Sequence, residues 1–457
     1  MISGIQQIHF VGIGGIGMSG IAELLMTKGY AVTGSDQKES SITTRLRTLG
    51  ATVQIGHHAN NIGNAELVVV SSAIASDNPE IVAARAKGIA VIPRAEMLAE
   101  LMRLKVGIAV AGSHGKTTTT SLIATILVHA GLDPTMVVGG RLRQLRSSAK
   151  LGQGDYLVAE ADESDGSFLR LSPTLAVVTN IDAEHLDYYR NLDAVHDAFV
   201  KFIERLPFYG LAVVCLDDRG VRTIVPRLTR RVLTYGVDSD AVLQARDINA
   251  NQNRMRFSVY ERGQALGIVD LALAGRHVVL NALAAIAIGR ELNVPFPLIS
   301  EALAKFGGIE RRFDIKSMGE ITIVDDYGHH PREIEATIQA AKEGFQKNIV
   351  AVFQPHRYTR TYHSFDGFVT AFNGCLRVIV LDIYSAGEAP IEGVSSQKLV
   401  DAIRARGDVA ASYAVSFDDA VAQLKETMQS GDMVMTFGAG NVWQIADRLA
   451  GELRVYP

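Results

Sequence analysis

The stretch Val106-Gly-Ile-Ala-Val-Ala-Gly-Ser-His-Gly-Lys-Thr-Thr-Thr119 leads an apolar, β-prone run into a glycine loop, and Lys116-Thr117 open a helix. That order suits a triphosphate. Backbone N–H groups at the loop and helix start face an anion, Lys116 adds a mobile positive charge, and the Thr117 hydroxyl offers a ligand to Mg²⁺. The common phosphate-loop pattern has its first glycine where this chain has Val110, so the loop is a shorter relative, Gly112-x-x-Gly115-Lys116-Thr117. The competing reading is an ordinary strand–turn–helix junction.

On the N-terminal side, strand-like runs at 8–11, 31–33, 52–55, 67–70 and 90–92 alternate with helical patterns, which predicts a parallel sheet flanked by helices. A boundary falls at 103–105. The central block carries apolar strands at 156–159, 175–180 and 211–215. It continues with an alternating, antiparallel-looking stretch at 254–260 and 267–273 and a helix over 275–292. After Arg311-Arg312-Phe313-Asp314 a third unit begins, with strands at 321–324, 349–353, 378–381 and 433–437 alternating with helices. The expected fold is α/β in three domains. They are a Rossmann-like domain (1–105), a central phosphate-loop domain with a mixed sheet (106–312) and a second Rossmann-like domain (313–457). At roughly 150 residues per domain, a chain of 457 residues agrees.

Composition narrows the function classes. Lys plus Arg number 45 against 49 Asp plus Glu, a net charge of −4 that gives no global pull toward nucleic acid or an anionic membrane. Polyanions must therefore be held by local sites. Cys215 and Cys375 lie far apart in apolar runs without metal-ligand spacing, as reduced, buried cysteines do. No charged leader with an apolar stretch follows Met1, and no apolar run approaches a bilayer span. The expectation is a cytoplasmic protein without membrane insertion.

Several segments carry chemistry. Gly12-Ile-Gly14-Gly15-Ile-Gly17 follows a strand, and Asp36 ends the next one. Its glycines allow close approach to a diphosphate and the acid suits ribose hydroxyls, as in an NAD site, but the same physics serves a UDP-sugar or an empty tight turn. Glu160-Ala-Asp162-Glu163-Ser-Asp165 and Asn180-Ile-Asp182-Ala-Glu184-His185 both lie just past strands of the phosphate-loop domain. Acids so clustered are costly unless they meet a cation. Thr117, Glu160 and His185 together suit a Mg²⁺ held by the triphosphate, since that ion takes one or two carboxylates plus phosphate and water oxygens. Asp325-Asp326-Tyr327-Gly-His329-His330-Pro331 reads weakly as a transition-metal site, because adjacent histidines on an extended loop point apart. Gln354-Pro-His356-Arg357-Tyr-Thr-Arg360 offers planar guanidinium forks to a carboxylate or phosphate. His57-His58 reads as a loop pair, and Arg141, Arg143 and Arg146 as a solvated face.

Taken together, these motifs resemble the Mur ligases. The resemblance spans essentially the whole chain: Gly12-x-Gly-Gly-Ile-Gly-Met-Ser-Gly20, Gly112–Thr117, Glu160–Asp165, Asn180–His185, Asn281, Arg311-Arg312-Phe313, Asp325–Pro331 and Gln354–Arg357. Within the family the chain is similar to the members that join L-alanine to UDP-N-acetylmuramate with ATP and Mg²⁺ or Mn²⁺. Those act through an acyl phosphate in peptidoglycan synthesis, as monomers or homodimers. The resemblance implies that Gly112, Ser113, His114, Gly115, Lys116, Thr117 and Thr118 cradle phosphates, while Asn281 meets adenine and Arg312 and Asp326 reach ATP from the third domain. It implies that Thr117, Glu160 and His185 surround the metal, and that Lys116, Arg312 and His329 carry the chemistry, His329 by stabilising the acyl phosphate or oxyanion. Tyr327, His356, Arg357 and Arg360 would hold L-alanine. Gly14, Gly15, Ile16, Ser35, Asp36 and Ser72 would hold UDP. Two places depart from the pattern: Val278 stands where family members often carry Asn after Gly275-Arg-His277, and Lys201 reads as an ordinary surface lysine rather than a carbamoylated metal ligand. An NAD-linked oxidoreductase and a nucleotide-dependent binding switch are the other function classes consistent with the isolated motifs.

Overall fold

In a computed structural model the chain is described over residues 4–71, 73–142 and 147–455. Ser72, Arg143 and Arg146 lie outside the described residues. The chain divides into two compact units, one of Met1–Arg246, Ser258–Ile268 and Leu280–Phe306, the other of Asp247–Phe257, Val269–Val279 and Gly307–Pro457.

Five strands, β1 (Gln7–Val11), β2 (Ala31–Asp36), β3 (Thr52–Ile55), β4 (Leu67–Val70) and β5 (Ala90–Pro93), form a sheet in the order β3-β2-β1-β4-β5. Every neighbouring pair is parallel. Covered on both faces, the central strand is buried from Ile8 to Val11 and apolar there apart from one histidine, His9. The strand order reverses between β1 and β4, and such a switch point opens a crevice at the strands' carboxyl ends. Gly34 in β2 is obligatory for packing, since a Cβ there would lie 2.8 Å from the Phe10 carbonyl oxygen.

The second sheet has ten strands: β6 (Val106–Ala111), β7 (Thr135–Leu142), β8 (Ser147–Lys150), β9 (Tyr156–Glu160), β10 (Leu175–Val178), β11 (Leu211–Cys215), β12 (Val232–Gly236), β13 (Leu243–Asn251), β14 (Arg254–Glu261) and β15 (Gln264–Leu271). Their order is β15-β14-β13-β12-β11-β10-β6-β9-β7-β8. The phosphate-loop strand β6 lies between β10 and β9, parallel to both, so the ends of all three open on one edge. The apolar core is continuous from the first sheet (Phe10, Val69) through the second (Ala109, Val178) to Phe199 and Phe202.

The third sheet, β16 (Asp314–Met318), β17 (Thr322–Asp326), β18 (Ile349–Phe353), β19 (Arg377–Leu381), β20 (Ala410–Ala414) and β21 (Met433–Phe437), runs β16-β17-β21-β18-β19-β20. Only β16 is antiparallel. The expected strand at 321–324 in fact takes in Asp325 and Asp326, both buried. Two acids can end a buried strand because each is satisfied. Asp325 accepts from Arg311 Nε at 3.0 Å and Thr436 Oγ1 at 2.7 Å, and Asp326 accepts the Phe313 and Gly328 N–H groups, each at 2.7 Å.

Candidate active site

The phosphate loop is shaped by contacts that exclude side chains. Gly112 has φ +131° and a Cβ there would lie 2.1 Å from Thr179 Oγ1, while Gly115, at φ +80°, would meet Asn281 Oδ1 at 2.7 Å. Buried Asn281 therefore sits directly against the loop. The strand expected through Asn180 stops at Val178, and Thr179 and Asn180 instead clamp the loop. Asn180 Oδ1 accepts from the His114 N–H at 2.8 Å, and Thr179 Oγ1 donates to the His114 carbonyl at 2.6 Å. The Asp182 N–H donates to Ser113 Oγ at 2.9 Å. Helix Lys116–His129 starts at Gly115 with no side-chain cap, so its first-turn amides are presented at the loop.

Lys116 folds back over this loop. Its ammonium donates to the Gly112 carbonyl at 2.6 Å and to both oxygens of Glu163, at 2.8 and 2.9 Å. Burial works against the charge, but Glu163, Asp162 and Glu184 outweigh it and hold the Lys116 pKa above its ordinary value. His114 Nε2 lies 3.0 Å from Asp182 and 3.3 Å from Glu184, and His185 Nε2 lies 3.6 Å from Glu184. The loop mouth is thus rimmed by Glu163, Asp182 and Glu184. Glu163 was visible in sequence only as one acid of a cluster. The expected metal set occupies the carboxyl ends of three adjacent strands: Thr117 in the first helical turn after β6, Glu160 as the last residue of β9 and His185 beyond β10. An oxygen-rich set in a carboxylate-rimmed mouth fits a hard divalent ion. Lys201 is exposed on helix Leu192–Glu204.

At the first sheet, the glycine loop follows β1, and the Gly14 N–H donates to Asp36 Oδ2 at 2.9 Å. A Cβ on Gly14 would lie 2.8 Å from the same oxygen. Gly15 precedes helix Ile16–Thr27, which also lacks a side-chain cap. Ser35 is fully buried and donates to Glu80 Oε2 at 2.6 Å. No local pattern singled out Glu80.

In the other unit, the loops after β17 and β18 gather the expected amino-acid-binding residues. The ring centroids of Tyr327 and His329 are 5.3 Å apart and those of His329 and His356 6.0 Å. Arg311 and Arg312 both lie over the Tyr327 ring, each 5.1 Å from its centroid. Arg360 donates to His356 Nδ1 at 3.2 Å, while Arg357, at φ +71°, is exposed and caps the short helix carrying Arg360. His329 Nδ1 lies 3.0 Å from the Tyr327 carbonyl oxygen and must donate to it, leaving Nε2 as the open acceptor of a neutral ring. Burial drives the His329 pKa down to about 3 despite the opposing Glu333, and His356 falls to about 4 through burial, Arg360 and Arg357. Burial also lifts Asp326 to about 6.

All three parts of the chain match known protein families. The Mur ligase family catalytic domain matches residues 7–106, the Mur ligase middle domain 110–289, and the Mur ligase glutamate ligase domain 311–440. The chain is 54% identical over 451 residues, 98% of both chains, to the UDP-N-acetylmuramate–L-alanine ligase of Syntrophotalea carbinolica. It is 52% identical to that of Geobacter sulfurreducens over 99% of both. The crystal structure of UDP-N-acetylmuramate–alanine ligase from Thermotoga maritima superposes with a TM-score of 0.84 at 30% identity, covering 99% of this chain and all of that one. Family profiles over all three sheets and half-identical relatives over the full length leave one assignment: the chain belongs to the Mur ligase family.

Proposed function

We propose that this chain is an ATP-dependent ligase joining L-alanine to the lactyl carboxylate of UDP-N-acetylmuramate, a step of peptidoglycan synthesis, in the cytoplasm. The observation that carries the reading is 54% identity over 98% of both chains to a protein of that name. ATP is required because a carboxylate is a poor electrophile with a poor leaving group. The lactyl carboxylate attacks the γ-phosphorus and releases ADP, forming an acyl phosphate. The alanine amine then adds to the carbonyl carbon, and the tetrahedral adduct expels phosphate and loses a proton to leave the amide.

Carboxylate and γ-phosphate are both anions, so the first step needs shielding. The loop from Gly112 to Thr118 binds the phosphates through its amides, and Lys116 turns from Glu163 to the phosphoryl oxygens. Asn281 stands beside the loop and contacts the nucleotide, adenine in the family pattern. Thr117, Glu160 and His185 would hold Mg²⁺ or Mn²⁺, which supplies charge neutralisation at the phosphates. Arg312 adds positive charge. Asp326, already accepting two backbone N–H groups, acts by holding the loop that carries Tyr327 and His329. Arg360 and Arg357 pair the alanine carboxylate beside Tyr327 and His356. His329, a neutral ring with Nε2 as acceptor, suits the incoming amino group better than an oxyanion, which needs a donor. Gly14, Gly15, Ile16, Asp36 and Ser72 bind the UDP moiety, whereas Ser35, expected among them, is fully buried with its hydroxyl committed to Glu80.

The test is ADP release with ATP, Mg²⁺ and UDP-N-acetylmuramate, with and without L-alanine. Release that depends jointly on the sugar nucleotide and L-alanine is the expected result. Release indifferent to either one points to a switch, and a nicotinamide absorbance change without ADP points to an oxidoreductase.

A further inference from the structure

The first domain contains a buried polar chain that the motifs did not reveal. Glu80, on helix Pro79–Ala86, and His9, on β1, are both fully buried. The two oxygens of Glu80 gather four donors. Oε2 accepts from Ser35 Oγ at 2.6 Å and His9 Nε2 at 3.0 Å. Oε1 accepts from Asn61 Nδ2 at 2.7 Å and the His58 N–H at 3.1 Å. Despite the cost of burial, these donors hold the Glu80 pKa down to about 2, so it is a carboxylate.

A carboxylate has no proton to give, which fixes the protons farther along. The single hydroxyl hydrogen of Ser35 must point to Glu80. Ser35 Oγ can then only accept from His57 Nδ1, 2.9 Å away. Nδ1 therefore carries the hydrogen, which fixes the tautomer: in the neutral form of the ring Nε2 is a bare acceptor. That Nε2 is buried and has no hydrogen-bond partner among the described residues, in a side chain only 10% exposed. An orphaned buried acceptor is expensive in an otherwise satisfied cluster and calls for a donor. His57 also lies past the carboxyl end of β3, the edge of this sheet on which a crevice opens. Only Gly56 separates it from β3, and the Gly56 N–H donates to the Asp36 carbonyl at 2.8 Å, tying this loop to the acid at the end of β2.

We propose that His57 is the base-selecting residue of the UDP site, its Nε2 accepting the N3–H of uracil, with Glu80 and Ser35 as positioning residues that fix its tautomer. This rests on the reading of the first domain as the UDP-sugar site. Uracil presents an N–H at N3, whereas cytosine presents a lone pair there and would face another lone pair on His57.

The test is isothermal titration of the full-length chain with UDP and with CDP. The unmodified chain is expected to bind UDP about tenfold or more tighter than CDP, the worth of one well-placed buried hydrogen bond. His57→Ala should weaken UDP by about tenfold and leave CDP within about twofold, erasing the preference. Glu80→Gln, which replaces one acceptor oxygen by an amide facing donors, should reduce the same ratio while the fold, followed by circular dichroism, persists. Equal affinity of the unmodified chain for the two nucleotides overturns the proposal, as does an unchanged ratio in both variants. Failure of the unmodified chain to bind UDP at all overturns the underlying site reading instead.

Discussion

The ammonium of Lys116 lies 2.8 Å from Glu163 Oε1, with the two side chains 18% and 3% exposed, so the phosphate-loop lysine is paired with a buried carboxylate of its own unit. In the proposed function a phosphate of the bound nucleotide takes the place of this carboxylate. Lys116→Ala is expected to cost at least about 100-fold in kcat, the scale of losing one preorganised charge, while UDP binding to the first domain persists. Loss of both activities with an intact fold would argue that the sites are not separate.

The same pair makes a second, thermodynamic prediction. Glu163→Ala removes the hydrogen-bonded partner of a partly buried ammonium, leaving only the more distant charges of Asp162 and Glu184, and should cost up to about 3 kcal/mol in the absence of nucleotide. Saturating Mg²⁺-ATP supplies a replacement anion, so nucleotide should raise the Tm of the variant more than that of the unmodified chain. Equal nucleotide-induced shifts in thermal denaturation would show that Glu163 does not hold the place of a phosphate.

The histidines of the other unit set a pH dependence. With His329 at about 3 and His356 at about 4 in the folded chain, both lie below the roughly 6.5 of an unfolded histidine. Below pH ~6.5 the unfolded chain takes up protons that the folded chain refuses, so these groups cost stability progressively as pH falls. Asp326, raised to about 6, works in the opposite sense between pH ~4 and ~6, where the folded chain keeps a proton that the unfolded chain releases. Urea unfolding at pH 7, 6 and 5 should therefore show His329→Gln losing about 1–2 kcal/mol less than the unmodified chain over this range. Identical slopes would mean that His329 is not held neutral. For the same reason the pH–rate profile should show no limb from His329 between pH ~6 and ~9.

The three sheets were legible because parallel strands buried on both faces leave uninterrupted apolar runs such as Ile349–Phe353, each followed by its site residues. The hairpin β7–β8 was not anticipated. Charge misled the reading at Asp325 and Asp326, taken as lying beyond the strand. Arg311 and Thr436, which permit the burial of Asp325, are remote in sequence from that run, as is Phe313, one of the two backbone donors to Asp326. Lys116 and Glu163 each stood in a quoted motif, yet nothing local joins residues 47 apart. Glu80 escaped entirely, since one acid after Asn78-Pro79 reads as ordinary helix-start chemistry. Four of its bonds cross from other elements. Motifs reported which groups are present. Pairings between distant segments, which set protonation and tautomer, needed the fold.

Arg360 donates to His356 and stands beside exposed Arg357, so the two guanidinium groups are the natural partners for an amino-acid carboxylate. Arg360→Met should raise the KM for L-alanine by about 100-fold while leaving the KM values for ATP and UDP-N-acetylmuramate within about threefold. Arg360→Lys should restore only part of the loss, because an ammonium cannot reproduce the planar fork. An equal rise in all three KM values would assign Arg360 a structural role.

Glu160 ends β9 beside the phosphate-loop strand and is the one acid of the Thr117–Glu160–His185 set, so it should dominate affinity for the divalent ion. Mg²⁺ binds few protein carboxylates and keeps waters, hence losing its single carboxylate cannot be made good by neighbouring hydroxyl and imidazole groups. Glu160→Gln is expected to raise the Mg²⁺ concentration for half-maximal rate by about 10- to 100-fold. Excess Mg²⁺ should recover much of the rate, and chelation should stop both proteins. His185→Ala should give a smaller shift, since imidazole is a poor ligand for this hard ion and a water can replace it. A Glu160→Gln chain with unchanged Mg²⁺ dependence would move the metal to the rim carboxylates Asp182, Glu184 and Glu163. Glu163→Gln would then carry the metal defect, alongside its release of Lys116.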